Sequence, residues 1–173
     1  MFYHPLAGKV IDYVHGQADL RRQIVRTIGK PQERFAEDYL RMLRAVRFST
    51  QLGFVIEPTT FSAIRRLAAN ITRISGERIA IELEGILVHP NRAAGISMLA
   101  ESGLAEAIFP GFTRQIAKSK SQIQTRYAIR DTQYAISVLG HLRKKVDFAL
   151  ALAGLFAGFA TEFALQNCQI LRL

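Results

Sequence analysis

One stretch of the sequence carries charged residues at a regular spacing. Asp38, Arg41, Arg44 and Arg47 recur at every third position, and Glu37 precedes the first of them. A guanidinium is a planar fork of donors, whereas a carboxylate only accepts hydrogen bonds. Together they match the donor and acceptor edge of a nucleobase, and a spare arginine can neutralise phosphate. The alternative is a solvated helix face, on which pairs such as Glu37 and Arg41 contribute about 0.2–0.5 kcal/mol each.

The segment that holds these charges has the composition of a helix. Glu33–Phe48 contains neither proline nor glycine and is rich in leucine, alanine, methionine, arginine and glutamate. At about 100° per residue, Glu37, Arg41 and Arg44 fall on one face and the large apolar side chains on the other. The apolar face consists of Phe35, Tyr39, Met42, Leu43 and Val46. The sequence therefore predicts one helix that ends just before Gly53.

Composition restricts the class of protein. The chain has 173 residues, of which 49% are hydrophobic and 21% charged, as is typical of a globular protein. Its net charge of +9 favours a polyanionic partner, and RNA, DNA and an acidic membrane surface all satisfy that condition. The single cysteine, Cys168, allows no intrachain disulfide, as expected in the cytoplasm. The apolar run Phe148–Ala160 is shorter than the ~20 residues that span a bilayer, so a buried helix without a membrane role is expected.

The N-terminal pattern predicts a short β structure and a link. Phe2–Tyr3 and Val10–Ile11 flank a turn and predict a β-hairpin, which is marginal in water and is interpreted as the remnant of a larger sheet. Gln17–Arg22 is predicted to be a polar link in which Asp19 accepts backbone hydrogen bonds. Ile24–Ile28 is predicted to be extended.

The remaining pattern is helical, so the predicted fold class is mainly α. Thr59, Ser75 and Asn91 are predicted N-caps of three successive helices, and Gly103 ends the last of them. Further helical segments are predicted at 104–108, 132–142 and 146–165. The basic stretch Phe112–Asp131 has few large apolar residues and is interpreted either as a linker or as an RNA-contacting surface.

Three motifs follow one another along the first two thirds of the chain. They are Asp12-x-x-x-Gly16-x-x-Asp19-Leu20, then Ile24–Thr60 with the core Glu37-Asp38-x-x-Arg41-x-x-Arg44 and Arg47-Phe48, then Ser75–Leu87. Over about residues 2–112 this order resembles the class II tRNA nucleotidyltransferases, which include CCA-adding enzymes, and the bacterial poly(A) polymerases. The central motif is specific and favours the nucleotide-reading interpretation of the charged series.

The resemblance implies a domain organisation. In this family an N-terminal head carries the catalysis, and an α-helical neck, body and tail follow. Residues 1–30 are accordingly expected to be the end of the head and a linker, and residues 31–111 an all-helical neck that binds nucleotide and RNA. Residues 112–173 are expected to be a basic linker and a partial helical body or tail.

The resemblance also implies roles for the residues of the central motif. Asp38 and Arg41, with Glu37 in the same motif, would form the template that selects the incoming ATP or CTP. Arg44 and Arg47 would support the nucleotide or its phosphates. This template is shared by CCA addition, A-addition and poly(A) synthesis.

Two further motifs receive roles by the same resemblance. Asp12, Gly16 and Asp19 match the flexible link between head and neck. Glu77 and Arg78 match a motif that is interpreted as mainly structural, bracing the neck helices.

Nucleotide transfer of this kind requires two metal ions held by carboxylates, usually a DxD pair after a Gly-Ser turn. The sequence contains no such pair, and its four histidines have no paired spacing. The complete enzyme is therefore expected to use Mg²⁺ with residues upstream of Met1, and this chain alone is expected to hold neither catalytic residues nor a metal. The predicted partners are ATP or CTP, the 3′ end of tRNA or another RNA, and a catalytic head outside this chain. The alternative is a stand-alone, non-catalytic, basic helical module that binds RNA.

Overall fold

The computed structural model describes residues 1–112, 139–140, 142, 146–156 and 161–171. In chain order, the elements are β1 (Phe2–His4), β2 (Lys9–Ile11), α1 (Gly16–Arg22), β3 (Ile24–Val25), α2 (Pro31–Glu37), α3 (Leu40–Leu52), β4 (Val55–Ile56), α4 (Pro58–Leu67), a 3-10 helix (Ala68–Arg73), α5 (Gly76–Leu87), α6 (Arg92–Glu101), α7 (Leu104–Ile108), α8 (Phe148–Leu155) and α9 (Thr161–Ile170). The fold is mainly α with a small N-terminal hairpin, as predicted. Most of the basic stretch and of the predicted helix 132–142 lies outside the described residues.

The predicted single helix over the charged series is two helices. α2 ends at Glu37 and α3 begins at Leu40, because Asp38 between them has an extended backbone with φ −156° and ψ 106°. The Asp38 carboxylate accepts a hydrogen bond from the Leu40 N–H at 3.1 Å, which satisfies a donor of the first turn of α3. Aspartate competes for nearby backbone donors and therefore favours helix ends over helix interiors. The prediction of one continuous helix was wrong at this residue.

The two faces of α2 and α3 are those predicted. Phe35, Met42, Leu43 and Val46 are buried and Tyr39 is half-buried. α3 packs against α5 and α6, and Ile79, Leu83, Ile86, Ile96 and Leu99 complete the core between these helices. α3 ends where Gly53 takes a left-handed conformation with φ 69°, as expected of a glycine that ends a helix.

Two small sheets accompany the helices. The predicted hairpin is present, with β1 and β2 antiparallel and Phe2 opposite Ile11. β3 pairs in parallel with β4, which the sequence did not predict, and joins the N-terminal region to the end of α3. Within the predicted extended segment Ile24–Ile28, only the first two residues form this strand.

Several predicted boundaries differ from the structure. The segment Gln17–Arg22 is helical, as part of α1, and not an irregular link. α4 begins at Pro58 with Glu57 as its N-cap in place of Thr59, because proline suits the first helical position. The predicted helix 146–165 is divided into α8, which ends at Leu155, and α9, which begins at Thr161. None of the described helices is long and apolar enough to cross a membrane.

Candidate functional site

Asp38 lies at the break between α2 and α3 and connects it to α5. Its Oδ1 accepts the hydrogen bond from Leu40, and its Oδ2 accepts one from Arg78 Nη2 at 2.8 Å. Burial raises the pKa of Asp38, but the Leu40 amide and the Arg78 guanidinium together lower it below its ordinary value of 3.8. The side chain is 24% exposed. Asp38 is therefore a fixed, ionised acceptor that a ligand can reach.

Arg41 is held across the same break by α2. Its Nη1 donates to the Arg34 backbone oxygen at 2.9 Å and to the Glu37 carboxylate, which also accepts from Arg34 Nη1 at 2.8 Å. The hydrogen bond from Arg41, opposed by some desolvation and aided by Arg34, lowers the pKa of Glu37. These residues, together with Asp38 and Arg78, form the outer cluster, which consists of Arg34, Glu37, Asp38, Arg41 and Arg78.

Arg44 and Arg47 lie further along α3 and bind one carboxylate. Arg44 Nε donates to Glu82 Oε1 at 3.0 Å, and Arg47 Nε donates to Glu82 Oε2 at 2.7 Å. The Glu82 side chain is only 6% exposed. A Cβ at Gly85 would lie 2.5 Å from Arg47 Cδ, so the glycine allows Arg47 to cross α5 closely. Arg44, Arg47 and Glu82 form the inner cluster.

The structure thus divides the predicted charged series between two clusters. The sequence did not identify Glu82, although an acidic residue among the apolar positions Ile79, Leu83 and Ile86 of one helix is a signal, because a buried carboxylate needs a cationic partner. The motif residue Arg78 does brace the helices, since it binds Asp38.

Of the predicted link residues, Asp12 lies in an ordered turn, and Gly16 and Asp19 belong to the helix α1 that follows it. The Asp12 carboxylate accepts hydrogen bonds from the N–H groups of Val14, Gly16 and Gln17 at 2.8–3.1 Å. The bond from Gln17 makes the largest contribution to lowering the pKa of Asp12. Asp12, not Asp19, is therefore the acceptor of backbone hydrogen bonds in this region.

Asp19 has a side-chain partner instead. Arg26 Nε donates to Asp19 Oδ2 at 2.6 Å, and Arg26 Nη2 donates to the Val14 backbone oxygen at 2.9 Å. These bonds tie α1 and the turn before it to the residue that follows β3. The described residues bring together no group of three or more His, Cys, Asp or Glu side chains that could hold a metal ion.

Comparisons with known proteins agree with the motifs. A family model described as "Probable RNA and SrmB- binding site of polymerase A" matches residues 53–116. The CCA-adding enzyme of Bacillus subtilis (strain 168) is 44% identical over 105 residues, which are 61% of this chain and 26% of that enzyme. The CCA-adding enzyme of Limosilactobacillus reuteri (strain DSM 20016) is 39% identical over 134 residues, which are 77% of this chain and 33% of that enzyme. The chain thus spans about a quarter to a third of the length of these relatives.

Solved structures share the fold. The crystal structure of the Bacillus stearothermophilus CCA-adding enzyme in complex with CTP matches with a TM-score of 0.61 and 31% identity, covering 96% of this chain and 42% of that chain. A tRNA-processing enzyme in its apo form I matches with a TM-score of 0.70 over 95% of this chain and 43% of that chain, and its 19% identity makes this a likeness of fold alone. With the order of its motifs, its helical fold and these relatives, the chain belongs to the class II tRNA nucleotidyltransferase family.

Proposed function

We propose that this chain supplies the part of a CCA-adding enzyme that selects the incoming ATP or CTP and binds the RNA 3′ end. The observation that carries the proposal is the outer cluster. There Asp38 is an ionised acceptor and Arg41 a donor, and both are fixed across the break between α2 and α3. This pair is the minimum that a reader of a nucleobase edge requires.

The chemistry of the bases explains how one pair accepts two nucleotides. Cytosine and adenine each present an amino donor beside a ring-nitrogen acceptor, so a carboxylate and a guanidinium suit both. Uracil and guanine present a carbonyl acceptor beside a ring N–H donor, which places an acceptor opposite Asp38 and a donor opposite Arg41. Because unpaired polar groups are costly in a partly dry site, this arrangement discriminates against those two bases.

The wider assignments form part of the same proposal. Arg44 and Arg47 would assist the nucleotide or its phosphates, and Asp12, Gly16 and Asp19 would belong to the link between head and neck. Residues 1–30 would complete the head and linker, 31–111 the neck, and 112–173 the linker and partial body or tail. The CTP complex of the Bacillus stearothermophilus CCA-adding enzyme supports CTP as one of the two nucleotides. Nucleotide addition, its Mg²⁺ requirement and a cytoplasmic location are proposed for the complete enzyme.

The proposal can be tested by nuclear magnetic resonance titration of the ¹⁵N-labelled chain with CTP, ATP, UTP and GTP. We expect weak binding of CTP and ATP, in the millimolar range, and weaker binding of UTP and GTP. Asp38→Asn should abolish this preference, because an amide can donate as well as accept. Glu33→Gln is the matched control, since Glu33 is an exposed acidic residue of α2 outside the outer cluster.

Two results would contradict the nucleotide assignment. One is a low-micromolar affinity that survives Asp38→Ala, and the other is equal affinity for all four nucleotides. The second candidate function is a stand-alone RNA-binding module, which the family model over residues 53–116 and the net charge of +9 favour. Binding of tRNA that weakens steeply with salt, combined with no base preference among the nucleotides, would support that candidate.

A further inference from the structure

A small cavity with a cationic lining lies beside the inner cluster. Its volume is about 170 Å³, and it is lined by Val25, Arg26, Thr27, Phe35, Arg41, Arg44, Ala45, Phe48 and Thr60. This set brings residues of β3, α2, α3 and α4 together. Three of the lining residues are arginines, and none of them is acidic. We call this cavity the arginine pocket.

Each of the three arginines is oriented by a carboxylate outside the pocket. Arg26 binds Asp19, Arg41 binds Glu37, and Arg44 binds Glu82. These pairings occupy only part of each guanidinium: Arg44 uses its Nε, and Arg26 uses its Nε and Nη2. Within the described residues, Arg26 Nη1 and both Nη atoms of Arg44 make no hydrogen bond. The pocket therefore has oriented cationic donors to offer to a ligand.

A neutral donor adds to this set. Thr27 lines the pocket, and its Oγ1 is buried without a hydrogen-bond partner among the described residues. The backbone N–H of Thr27 donates to Thr60 Oγ1 at 3.4 Å. The group of Thr27 that lacks a partner is therefore its side-chain hydroxyl. A buried hydroxyl without a partner is uncommon because its desolvation is costly. A ligand oxygen that accepts a hydrogen bond from the Thr27 hydroxyl would satisfy this donor.

We propose that the arginine pocket binds a phosphate group. Oxygens of a phosphate accept several charge-assisted hydrogen bonds at once, which matches guanidinium donors that converge from α3 and from the segment after β3. The volume of about 170 Å³ accommodates a phosphate group. The apolar side chains Val25, Phe35 and Ala45 in the lining lower the local dielectric and strengthen these bonds.

This inference rests on the proposed function, because Arg41 and Arg44 also belong to the proposed nucleotide site. Two ligands of the proposed function carry such a phosphate group: the incoming nucleotide and the backbone of the RNA 3′ end. Arg26, Thr27 and Ala45 line the pocket but are not part of the proposed base-reading pair. They allow the two ideas to be tested apart.

The test follows the arginine Nε–H signals of the full chain during titration with inorganic phosphate, cytidine, CTP and a short single-stranded RNA. Arg26→Gln should weaken phosphate binding about tenfold, because the pocket then loses one of its three cationic donors. It should leave cytidine binding unchanged. Arg65→Gln is the matched control, because it removes the same charge from an exposed arginine of α4 outside the lining.

A second variant guards against a folding defect in Arg26→Gln, whose wild-type side chain also binds Asp19. Ala45→Leu fills the pocket without changing any charge and should also weaken phosphate binding about tenfold or more. A matching loss for CTP assigns the phosphate to the nucleotide, and a matching loss for the RNA alone assigns it to the RNA backbone. Both results support the pocket.

Two results would overturn the proposal of a phosphate site. Phosphate affinity that is equal in wild type, Arg26→Gln, Ala45→Leu and Arg65→Gln overturns the inference, as does the absence of phosphate binding. Failure of the proposed function looks different, because Asp38→Asn would then leave the binding of cytidine and CTP unchanged while Arg26→Gln still weakened phosphate binding.

Discussion

The outer and inner clusters use the same residue types on neighbouring turns, yet they differ in burial. The outer cluster is open, with Asp38 24% exposed, Arg78 48% exposed and Glu37 47% exposed. The inner cluster closes on Glu82, whose side chain is 6% exposed. A carboxylate in water gains little from an ion pair, whereas a buried carboxylate depends on its partners. The difference indicates that the buried Glu82 fixes α3 against α5, whereas the carboxylates of the outer cluster are available to a ligand. Arg44, whose side chain is 46% exposed, belongs to the inner cluster and still has its Nη atoms available to the arginine pocket.

The position of the break in the helix produces this division. If α2 and α3 were one helix, the charged series would spiral round it at regular heights. The extended backbone of Asp38 instead turns its carboxylate towards Arg78 of α5, while Arg41 reaches back to the end of α2. The two proposed base-reading residues are therefore held by different elements. Variants of Glu82 and Arg78 test whether burial separates the two clusters.

The largest effect is expected at Glu82. Glu82→Ala leaves Arg44 and Arg47 without their shared acceptor, and breaking a buried ion pair costs about 3–5 kcal/mol. Because Arg44 is 46% exposed, water recovers part of this loss, and we expect the free energy of unfolding to fall by about 2 kcal/mol. Urea denaturation followed by circular dichroism measures it.

The matched control for Glu82 lies on the same helix. Glu84 of α5 is exposed, and Glu84→Ala should change the free energy of unfolding by less than about 0.5 kcal/mol. Equal losses in the two variants would show that burial does not distinguish the inner cluster.

Much of the fold followed from the sequence, because the apolar residues have helical spacing. Met42, Leu43 and Val46 are buried as their spacing predicts, and Gly53 ends α3 as expected. The same spacing could not reveal the break at Asp38, since the pattern of apolar residues continues across it. Asp38 breaks the helix through its extended backbone and its side-chain hydrogen bond to the Leu40 N–H, and periodicity encodes neither.

The pairings of the candidate site were less accessible. The motif identified Asp38, Arg41, Arg44 and Arg47, but the partners on α5 lie about 35–40 positions away in the chain, and only the packing of α3 on α5 brings them together. The parallel pairing of β3 with β4 was missed for the same reason, since each strand has only two residues and carries almost no pattern of its own.

A smaller effect is expected at Arg78. Arg78→Ala removes the ion pair with Asp38, in which the Arg78 side chain is 48% exposed. Because exposed ion pairs contribute little, we expect the free energy of unfolding to fall by about 0.2–1 kcal/mol. Arg78→Lys, which keeps the charge but not the planar fork, should lie between wild type and Arg78→Ala. A loss as large as that of Glu82→Ala would place the outer cluster in the same class as the inner one and remove the distinction between them.

The smallest effect is the acid titration of Asp38. Its pKa in the folded chain is lowered from 3.8, so its contribution to stability is fully present above about pH 3.8 and is lost as the pH falls through the lower, folded-state pKa. Glu37, Glu57 and Asp12 are shifted in the same direction, and a global unfolding curve would therefore mix their contributions. The measurement must follow the Asp38 carboxyl carbon itself by nuclear magnetic resonance.

We expect the Asp38 midpoint to lie below pH 3.8 in the wild type and to rise in Arg78→Ala, because the guanidinium then no longer stabilises the charged carboxylate. The Leu40 amide remains in that variant and continues to favour the ionised form. A midpoint that does not move on loss of Arg78 would mean that the backbone alone fixes the charge of Asp38. Arg78 would then orient the carboxylate without controlling its ionisation, and α5 would influence base reading only through geometry.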